Sequence, residues 1–555
     1  MFKVALIWPP LSERFGYYRF GPRLTVMALG YLEAYIEGVE GVEVTQINID
    51  KTIHSETDYW KAMDYGGLLK DDSIIEQYIN GEYQSEIFDE LYDYLFRKLE
   101  LEKYDLLAVS YDVNYIRDRY SPVFFKMLSD LATIYKKPII LGGLGSASTY
   151  LLKIFKRYSF IKYMSFGTID SINLKTFRKI VLLEKDGAGS LDDLENVFYR
   201  DNRLLTRTRI YKGPALSSEE SSFILKPRYH LTNQIEFRTK YSDIRQYDNG
   251  FPEMTEDDIE IPIIPYRMSV GCVNNCAFCM SSAEGRAFAF KKVEDVAEDI
   301  ERLIQENNSN YFMFLNSMIN FSKSYVDKLC NTLVRRNIKI CFTDSAEISG
   351  MDRELLTILK EMGGVALWYG LECPSNKLLS LINKPCKVED AIEIIKISNE
   401  LGFWVGVNLI AGLPHENDDD ILQTVQFIKN HVPYIDMWQV TPFYLVRSKF
   451  LENPLQYGII VRDLVTSEDK GEGDLVMATF DEVNGMKWED KQQKSVHTFK
   501  LLLDTIDQCA QVPNISNASF IFYAYTKFGN DKRRIREWLT ANYRGKAPTI
   551  AVTGL

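Results

Sequence analysis

The chain has 555 residues, 46% of them hydrophobic and 26% charged, a length that suits two to four domains each with its own core. A net charge of −12 without a basic stripe or basic domain excludes the electrostatic footprint of a nucleic-acid partner. No apolar run reaches the length of a membrane span, and the opening residues break at Pro9-Pro10, too early for a signal peptide, so a cytoplasmic protein with no membrane partner is expected.

Residues 3–8, Lys-Val-Ala-Leu-Ile-Trp, read as a buried parallel strand that opens onto a loop at the Pro pair. Residues 24–37 follow as a helix, 42–49 as a second strand, 105–110 as a third, and 138–141, running into Gly142-Gly143, as a fourth. Strands alternating with helices predict a doubly wound, Rossmann-like parallel sheet over residues 1–175, with a ligand crevice beyond the carboxyl ends of its strands. Trp8, Ser110, Gly142 and Gly143 stand at those ends. The acidic, Tyr-rich segment 55–102 has helical spacing and reads as an insertion over the sheet. Residues 176–261 are mixed and polar; they read as the tail of that domain, a hairpin beginning at Val197, and a linker.

A second run of alternating elements begins near Pro262. Strands are expected at 266–270, 311–315, 338–343, 365–369, 403–410 and 435–440, with helices at 293–306, 322–336, 353–362, 388–401 and 420–430 between them. Six strands with right-handed crossovers make a partial TIM-like (β/α)6 barrel over 262–460, whose reactive groups collect at the carboxyl ends. Residues 461–555 read as a small helical domain capping the barrel mouth, with helices near 489–507 and 532–542; the charge run from Lys527 to Arg536 reads as a solvated helix start. The expected class is therefore α/β with three parts.

Directly after the first barrel strand stands Gly271-Cys272-Val-Asn-Asn-Cys276-Ala-Phe278-Cys279. Three thiols within eight residues are a metal-ligand constellation: one short loop can wrap them around an iron–sulfur cube, leaving the fourth iron open to a small molecule. Structural zinc wants a fourth ligand, and no further Cys or His lies in or near the loop. A disulfide would leave one thiol over, and Cys330, Cys341, Cys373, Cys386 and Cys509 are scattered singly.

The C-x3-C-x2-C spacing with an aromatic before the last Cys resembles the signature of the radical S-adenosylmethionine (SAM) superfamily. The resemblance implies a [4Fe-4S] cluster on Cys272, Cys276 and Cys279, with the amine and carboxylate of SAM on the open iron. One electron from the cluster then splits the sulfonium to a 5′-deoxyadenosyl radical. Other strand ends are similar to the family's SAM-binding segments. Asn316-Ser317 follow the second strand, Gly370-Leu-Glu372 the fourth, and Asn408-Leu-Ile410-Ala-Gly412-Leu-Pro-His415-Glu416 the fifth. With Phe278 they imply a SAM site of Phe278, Asn316, Ser317, Glu372, Asn408, Ile410 and Gly412. His415 stands where the family usually has Gly, and reads as a surface turn residue. After the third strand, Asp344-Ser-Ala-Glu347 lacks the Arg that relatives commonly carry, leaving that role without a holder.

The succession Trp-Pro-Pro, Ala-Val-Ser110, Leu-Gly142-Gly143 and Ser165-Phe-Gly167 is similar to the cobalamin-binding domain of the cobalamin-dependent members; a generic doubly wound domain with Gly at a turn is the alternative. The likeness implies cobalamin against Trp8, Ser110, Gly142 and Gly143. None of His54, His230, His415, His431 and His497 stands in Asp-x-His-x-x-Gly, so no protein ligand to cobalt is expected.

Together these imply a methyltransferase acting on an unactivated carbon of a natural-product or peptide substrate, supplied with electrons by a flavodoxin- or ferredoxin-type reductant. The alternative is a member of the same build that closes, contracts or crosslinks a ring without methylating. A third reading, a sensor without turnover, is disfavoured by Glu372, Asn408 and the barrel repeats, although fold alone does not prove activity. No catalytic side chain is singled out, and an oxygen-sensitive cluster with free thiols fits the cytoplasm.

Overall fold

The computed structural model describes residues 1–10, 27–49, 52–53, 73–110, 120–143, 148–166, 171–201, 204–207, 238–239, 261–279, 288–446, 448–465, 477–510, 512 and 518–543. His54, His230 and Gly167 lie outside them, as do the charge-rich residues 240–259 and the Gly-containing stretch 467–473.

The first sheet has seven strands in the order β2-β1-β3-β4-β5-β6-β7. They are β1 (Phe2–Trp8), β2 (Val42–Asn48), β3 (Leu106–Ser110), β4 (Ile139–Gly143), β5 (Tyr163–Phe166), β6 (Val197–Asp201) and β7 (Leu204–Arg207). The first five are parallel, and their near-continuous apolar sequence follows from burial on both faces. Ala5, Ile7, Leu107, Val109 and Leu141 point to one face, under the helices Ser73–Ile79, Glu86–Leu99, Ser121–Thr133 and Ser148–Arg157. Val4, Leu6, Leu106, Ala108 and Ile140 point to the other, under Met27–Ile36 and Ser171–Asp186. Two of the helices expected as an insertion thus form part of a sheet layer. The 197–207 hairpin does not stand apart either: β6 pairs antiparallel with β5 and extends this same sheet.

The second large sheet runs β16-β15-β14-β13-β12-β9-β8. Its strands are β8 (Arg238–Thr239), β9 (Ile261–Tyr266), β12 (Tyr311–Phe314), β13 (Cys341–Ala346), β14 (Gly364–Glu372), β15 (Trp404–Ala411) and β16 (Met437–Pro442), while β10 (Ser269–Val270) and β11 (Ala289–Phe290) form a small antiparallel pair. From β9 to β16 the six main strands are parallel, making a half-barrel. The first strand is Ile261–Tyr266 rather than the expected 266–270. Pro262 and Pro265 argue against a strand on sequence grounds, but β8 covers only the start of β9, which is near the sheet edge where Pro is tolerated.

Side-chain alternation divides the half-barrel. Tyr266, Phe312, Phe314, Phe342, Leu367, Tyr369, Leu371, Val405, Val407 and Leu409 pack outward under the helices. Ile261, Ile263, Met313, Val365, Trp404 and Met437 meet the C-terminal helices Ala518–Phe528 and Lys532–Asn542 through Phe520, Phe522, Tyr523 and Tyr525. Those strand residues lie towards the amino ends, so this helix pair plugs the bottom of the half-barrel. Residues 518–543 thus lie at the bottom of the half-barrel, not at the mouth where they were expected; in the charge run 527–536 Arg533 is exposed, as a solvated helix start would have it, but Lys532 is not. Lys532 is buried and donates to Phe403 O at 2.7 Å. The hairpin of β17 (Ile459–Val465) and β18 (Met477–Glu482) leads into helix Trp488–Cys509, which packs on helix Asp418–His431 in the outer layer. Among the described residues no helix is long and apolar enough to cross a membrane.

Candidate active site

β9 ends at Tyr266, and the chain reaches the cysteine loop through Ser269-Val270 and a left-handed turn at Gly271 (φ 81°). Three backbone anchors fix the loop: Ala277 N–H donates to Ile382 O at 2.8 Å, Phe450 N–H to Ala277 O at 3.1 Å, and Cys279 N–H to Cys276 O at 3.1 Å. The Asn274 amide points at Cys272 Sγ, 3.4 Å away. Phe278 is half-buried and packs against the barrel core.

None of the eight cysteines is in a disulfide. Among the described residues no three Cys, His, Asp or Glu side chains are grouped as ligands of a single ion. Burial raises the pKa of Cys272, and that of Cys276 to about 12, with the charge of Lys384 opposing the rise at Cys276. Metal binding must therefore expel these protons, and a nearby cation helps.

That cation belongs to a buried triad. Lys384 Nζ lies 2.8 Å from Glu347 Oε2 and 3.2 Å from Glu372 Oε1, with all three side chains almost fully enclosed. Burial pulls Lys384 towards its neutral form, but the two carboxylates outweigh that and hold it charged. Glu347 also accepts from Asn274 Nδ2 at 3.1 Å, so the triad is tied to the cysteine loop. Burial raises the Glu372 pKa, and Lys384 opposes this. Glu372 has φ 69°, a left-handed conformation that side chains rarely adopt and that marks ligand sites more often than ordinary strands.

On β15 the even-numbered residues share the concave face with Trp404, which places Asn408 there, while Ile410, half-buried, touches the barrel core. Asn408 Oδ1 is buried without a hydrogen-bond partner among the described residues, a cost that a bound donor would remove. Gly412 (φ 87°) leaves no room for a Cβ beside Ser495, and its amide donates to Glu416 at 3.0 Å. His415 takes φ 61°, so the left-handed path that a Gly usually serves is kept with a side chain. It is a half-buried turn residue, held by its amide donating to Glu482 Oε1 at 2.7 Å and by its Nε2, 3.1 Å from Tyr457 O.

Asn316 is the expected SAM contact that the geometry does not offer. It is buried two residues past the end of β12, and its Oδ1 accepts from the amides of Met268 and Ser269 at 3.0 and 3.1 Å. Its Nδ2 donates to Asp344 Oδ2 at 2.6 Å. Asn316 therefore fastens the approach to the cysteine loop. Ser317, one residue on, is exposed.

In the first sheet, Trp8, Ser110, Gly142 and Gly143 share the carboxyl edge of three adjacent strands, with Ser110 in register with Gly142. Trp8 and Ser110 end β1 and β3, between which the strand order reverses, the position where open α/β sheets take their ligands. The residues that follow these ends (11–26, 111–119, 144–147) lie outside the described ones. What converges there suits a ligand tail: a half-buried indole, a hydroxyl and a Gly pair that lets it reach the backbone.

Sequence reasoning missed Lys384, and treated Glu347 only as a departure from the family. Lys384 follows no strand, so inspection of strand ends passes over it. Its only local signal is the helix-breaking Asn383-Lys384-Pro385.

The model for the radical SAM superfamily matches residues 266–428, from the end of β9 into helix Asp418–His431. An uncharacterized methyltransferase of Pyrococcus horikoshii is 24% identical over 185 residues, 33% of this chain and 40% of the relative. The anaerobic magnesium-protoporphyrin IX monomethyl ester cyclase of Cereibacter sphaeroides is 22% identical over 181 residues, 32% of this chain and 30% of the cyclase. The chain thus matches well under half the length of either relative. Among solved structures, the radical SAM methyltransferase TsrM from Kitasatospora setae with tryptophan and a SAM analogue bound is 14% identical, with 98% of this chain and 99% of TsrM covered at a TM-score of 0.60. A second TsrM structure, with cobalamin and a [4Fe-4S] cluster, superposes at 0.58. At that identity the likeness is one of fold, and it extends over both sheets.

Proposed function

We propose that this chain, which carries a radical SAM domain over residues 266–428, is a cobalamin-dependent radical SAM methyltransferase acting on an unactivated carbon of a natural-product or peptide substrate. The observation that carries the reading is convergence. Three thiols in one loop stand with Glu372, Asn408 and Lys384 at the carboxyl end of one half-barrel, and the carboxyl edge of the first sheet gathers Trp8, Ser110, Gly142 and Gly143.

When bound, a [4Fe-4S] cluster with SAM supplies one-electron, hydrogen-abstracting chemistry, and cobalamin supplies the methyl group. Cys272, Cys276 and Cys279 would hold the cluster. Glu372 would accept hydrogen bonds from the ammonium or ribose hydroxyls of SAM, and Asn408 Oδ1 a further donor. Ile410, Gly412 and Phe278 would border its base. The buried floor of Trp404 and Met437, with Phe522 and Tyr523 beneath, keeps water from entering below. Ser317 would face solvent at the mouth, and a low-potential flavodoxin- or ferredoxin-type donor would provide the electron.

The test is anaerobic reconstitution with iron, sulfide and cobalamin, metal analysis, then incubation with SAM and a strong reductant. Formation of both 5′-deoxyadenosine and S-adenosylhomocysteine is expected. The likeness to a cyclase favours a second reading, ring closure without methylation, for which deoxyadenosine alone would form. Absence of SAM cleavage in a four-iron protein overturns both.

A further inference from the structure

Radical SAM chemistry needs an electron placed on a cluster that is already anionic: a cube of charge two-plus on three thiolates is a net monoanion, and its reduction makes a dianion. In this chain two buried carboxylates stand beside that loop, and they would make the electron harder to add. Glu347 touches the loop directly through Asn274, and Glu372 ends the neighbouring strand. Among the cysteine loop's described contacts the compensating positive group is Lys384, two residues beyond the carbonyl of Ile382 that anchors Ala277. Its side chain is 6% exposed, so solvent screens it little. Of the other cations near the end of β9, Arg267 donates to Leu315 O at 3.1 Å, and Lys291 is engaged by the Tyr266 hydroxyl and the Asp299 carboxylate.

Resting on the cluster reading above, we propose that Lys384 is the positioning residue that sets the reduction potential of the cluster, by placing one buried positive charge between Glu347, Glu372 and the cysteine loop. Lys384 stands on the turn that follows helix Asn376–Leu381, and Glu347 directly after β13. The redox step is one electron from an external low-potential donor to the cube, with no bond made or broken. Lys384 keeps its proton throughout, and only the field it exerts matters. Two ion-pair partners fix its place, so the field is preorganised rather than recruited on reduction.

The experiment is an anaerobic redox titration of the reconstituted full chain, followed by electron paramagnetic resonance without substrate, on the parent and on Lys384→Met, Lys384→Arg and Glu372→Gln. Lys384→Met should move the midpoint to a more negative potential, Lys384→Arg should restore it, and Glu372→Gln should move it positive. A Lys384→Met protein with parental iron content and parental midpoint overturns the proposal. If Lys384→Met fails to hold iron, Glu372→Gln decides, and an unmoved midpoint there overturns it as well. A parent that binds no four-iron cluster would sink the functional reading itself, a result distinguishable from either.

Discussion

Gly370 lies directly beneath Glu372 on β14: a Cβ at Gly370 would stand 2.5 Å from Glu372 Oε1 and 3.0 Å from Lys384 Nζ. The carboxylate folds back over its own strand, and only a glycine leaves it space. Gly370→Ala should push the carboxylate and ammonium apart while Cys272, Cys276 and Cys279 stay in place. Parental iron content with SAM affinity weakened about ten- to hundredfold is expected, the worth of one charge-assisted hydrogen bond. Equilibrium dialysis with labelled SAM under anaerobic conditions reads it, and parental affinity would contradict the placement of Glu372 at the SAM site.

Replacing any one of Cys272, Cys276 or Cys279 with Ala should abolish four-iron loading, because a cube missing one thiolate exposes a second iron to solvent. Cys330 packs among Leu329, Leu333 and Leu355 in the barrel core, and Cys509 sits at the end of the outer helix Trp488–Cys509. Cys330→Ala and Cys509→Ala should load iron as the parent does. Iron and sulfide analysis after reconstitution separates the two groups, and equal loss in both would remove the cluster from this loop.

Much of this site was legible because cluster loops and strand ends are local in sequence. The motif from Cys272 to Cys279, Glu372 and the Asn408–Gly412 segment could be read without tertiary knowledge. Asn316 lies two residues past the end of β12, and its hydrogen bonds to Met268, Ser269 and Asp344 join segments that no local pattern connects. Lys384 was invisible because its partners lie 37 and 12 positions away, which no local pattern encodes. The bottom plug was missed for the same reason. Lys532 and Arg536 look like a solvated charge run until Asp436, on the far side of the barrel in sequence, is brought beneath them.

Burial pushes the Asp344 carboxyl from 3.8 up to about 7, against the hydrogen bonds from Asn316 and Ser345 and the charge of Arg267. The folded state therefore binds this proton more tightly than the unfolded chain, so the contribution to stability is full below about pH 4 and is lost as pH rises through about 7. Asp344→Asn keeps an acceptor for Asn316 but cannot ionise. Between pH 5 and pH 8, the parent should lose stability relative to this variant. Denaturant midpoints of the two proteins at both values give the comparison, and a constant difference between them would refute the buried, raised carboxyl.

Besides its apolar contacts, the C-terminal helix pair meets a fully buried carboxylate under the half-barrel. Asp436 accepts from Val405 N–H at 2.8 Å and Arg536 Nη1 at 2.8 Å, and lies 2.6 Å from Lys532 Nζ. Asp436→Ala leaves the Lys532 ammonium enclosed with only the carbonyl of Phe403, a position that costs about 3–5 kcal/mol when a buried pair is broken from one side. Arg536 is partly exposed, so Arg536→Ala should cost well under half as much. Because the polar layer of Glu372, Lys384 and Asn408 stands at the opposite end of the strands, iron loading at low temperature should survive Asp436→Ala while the urea midpoint falls. Were iron loading lost with the midpoint unchanged, the helix pair would have to reach the mouth rather than seal the floor.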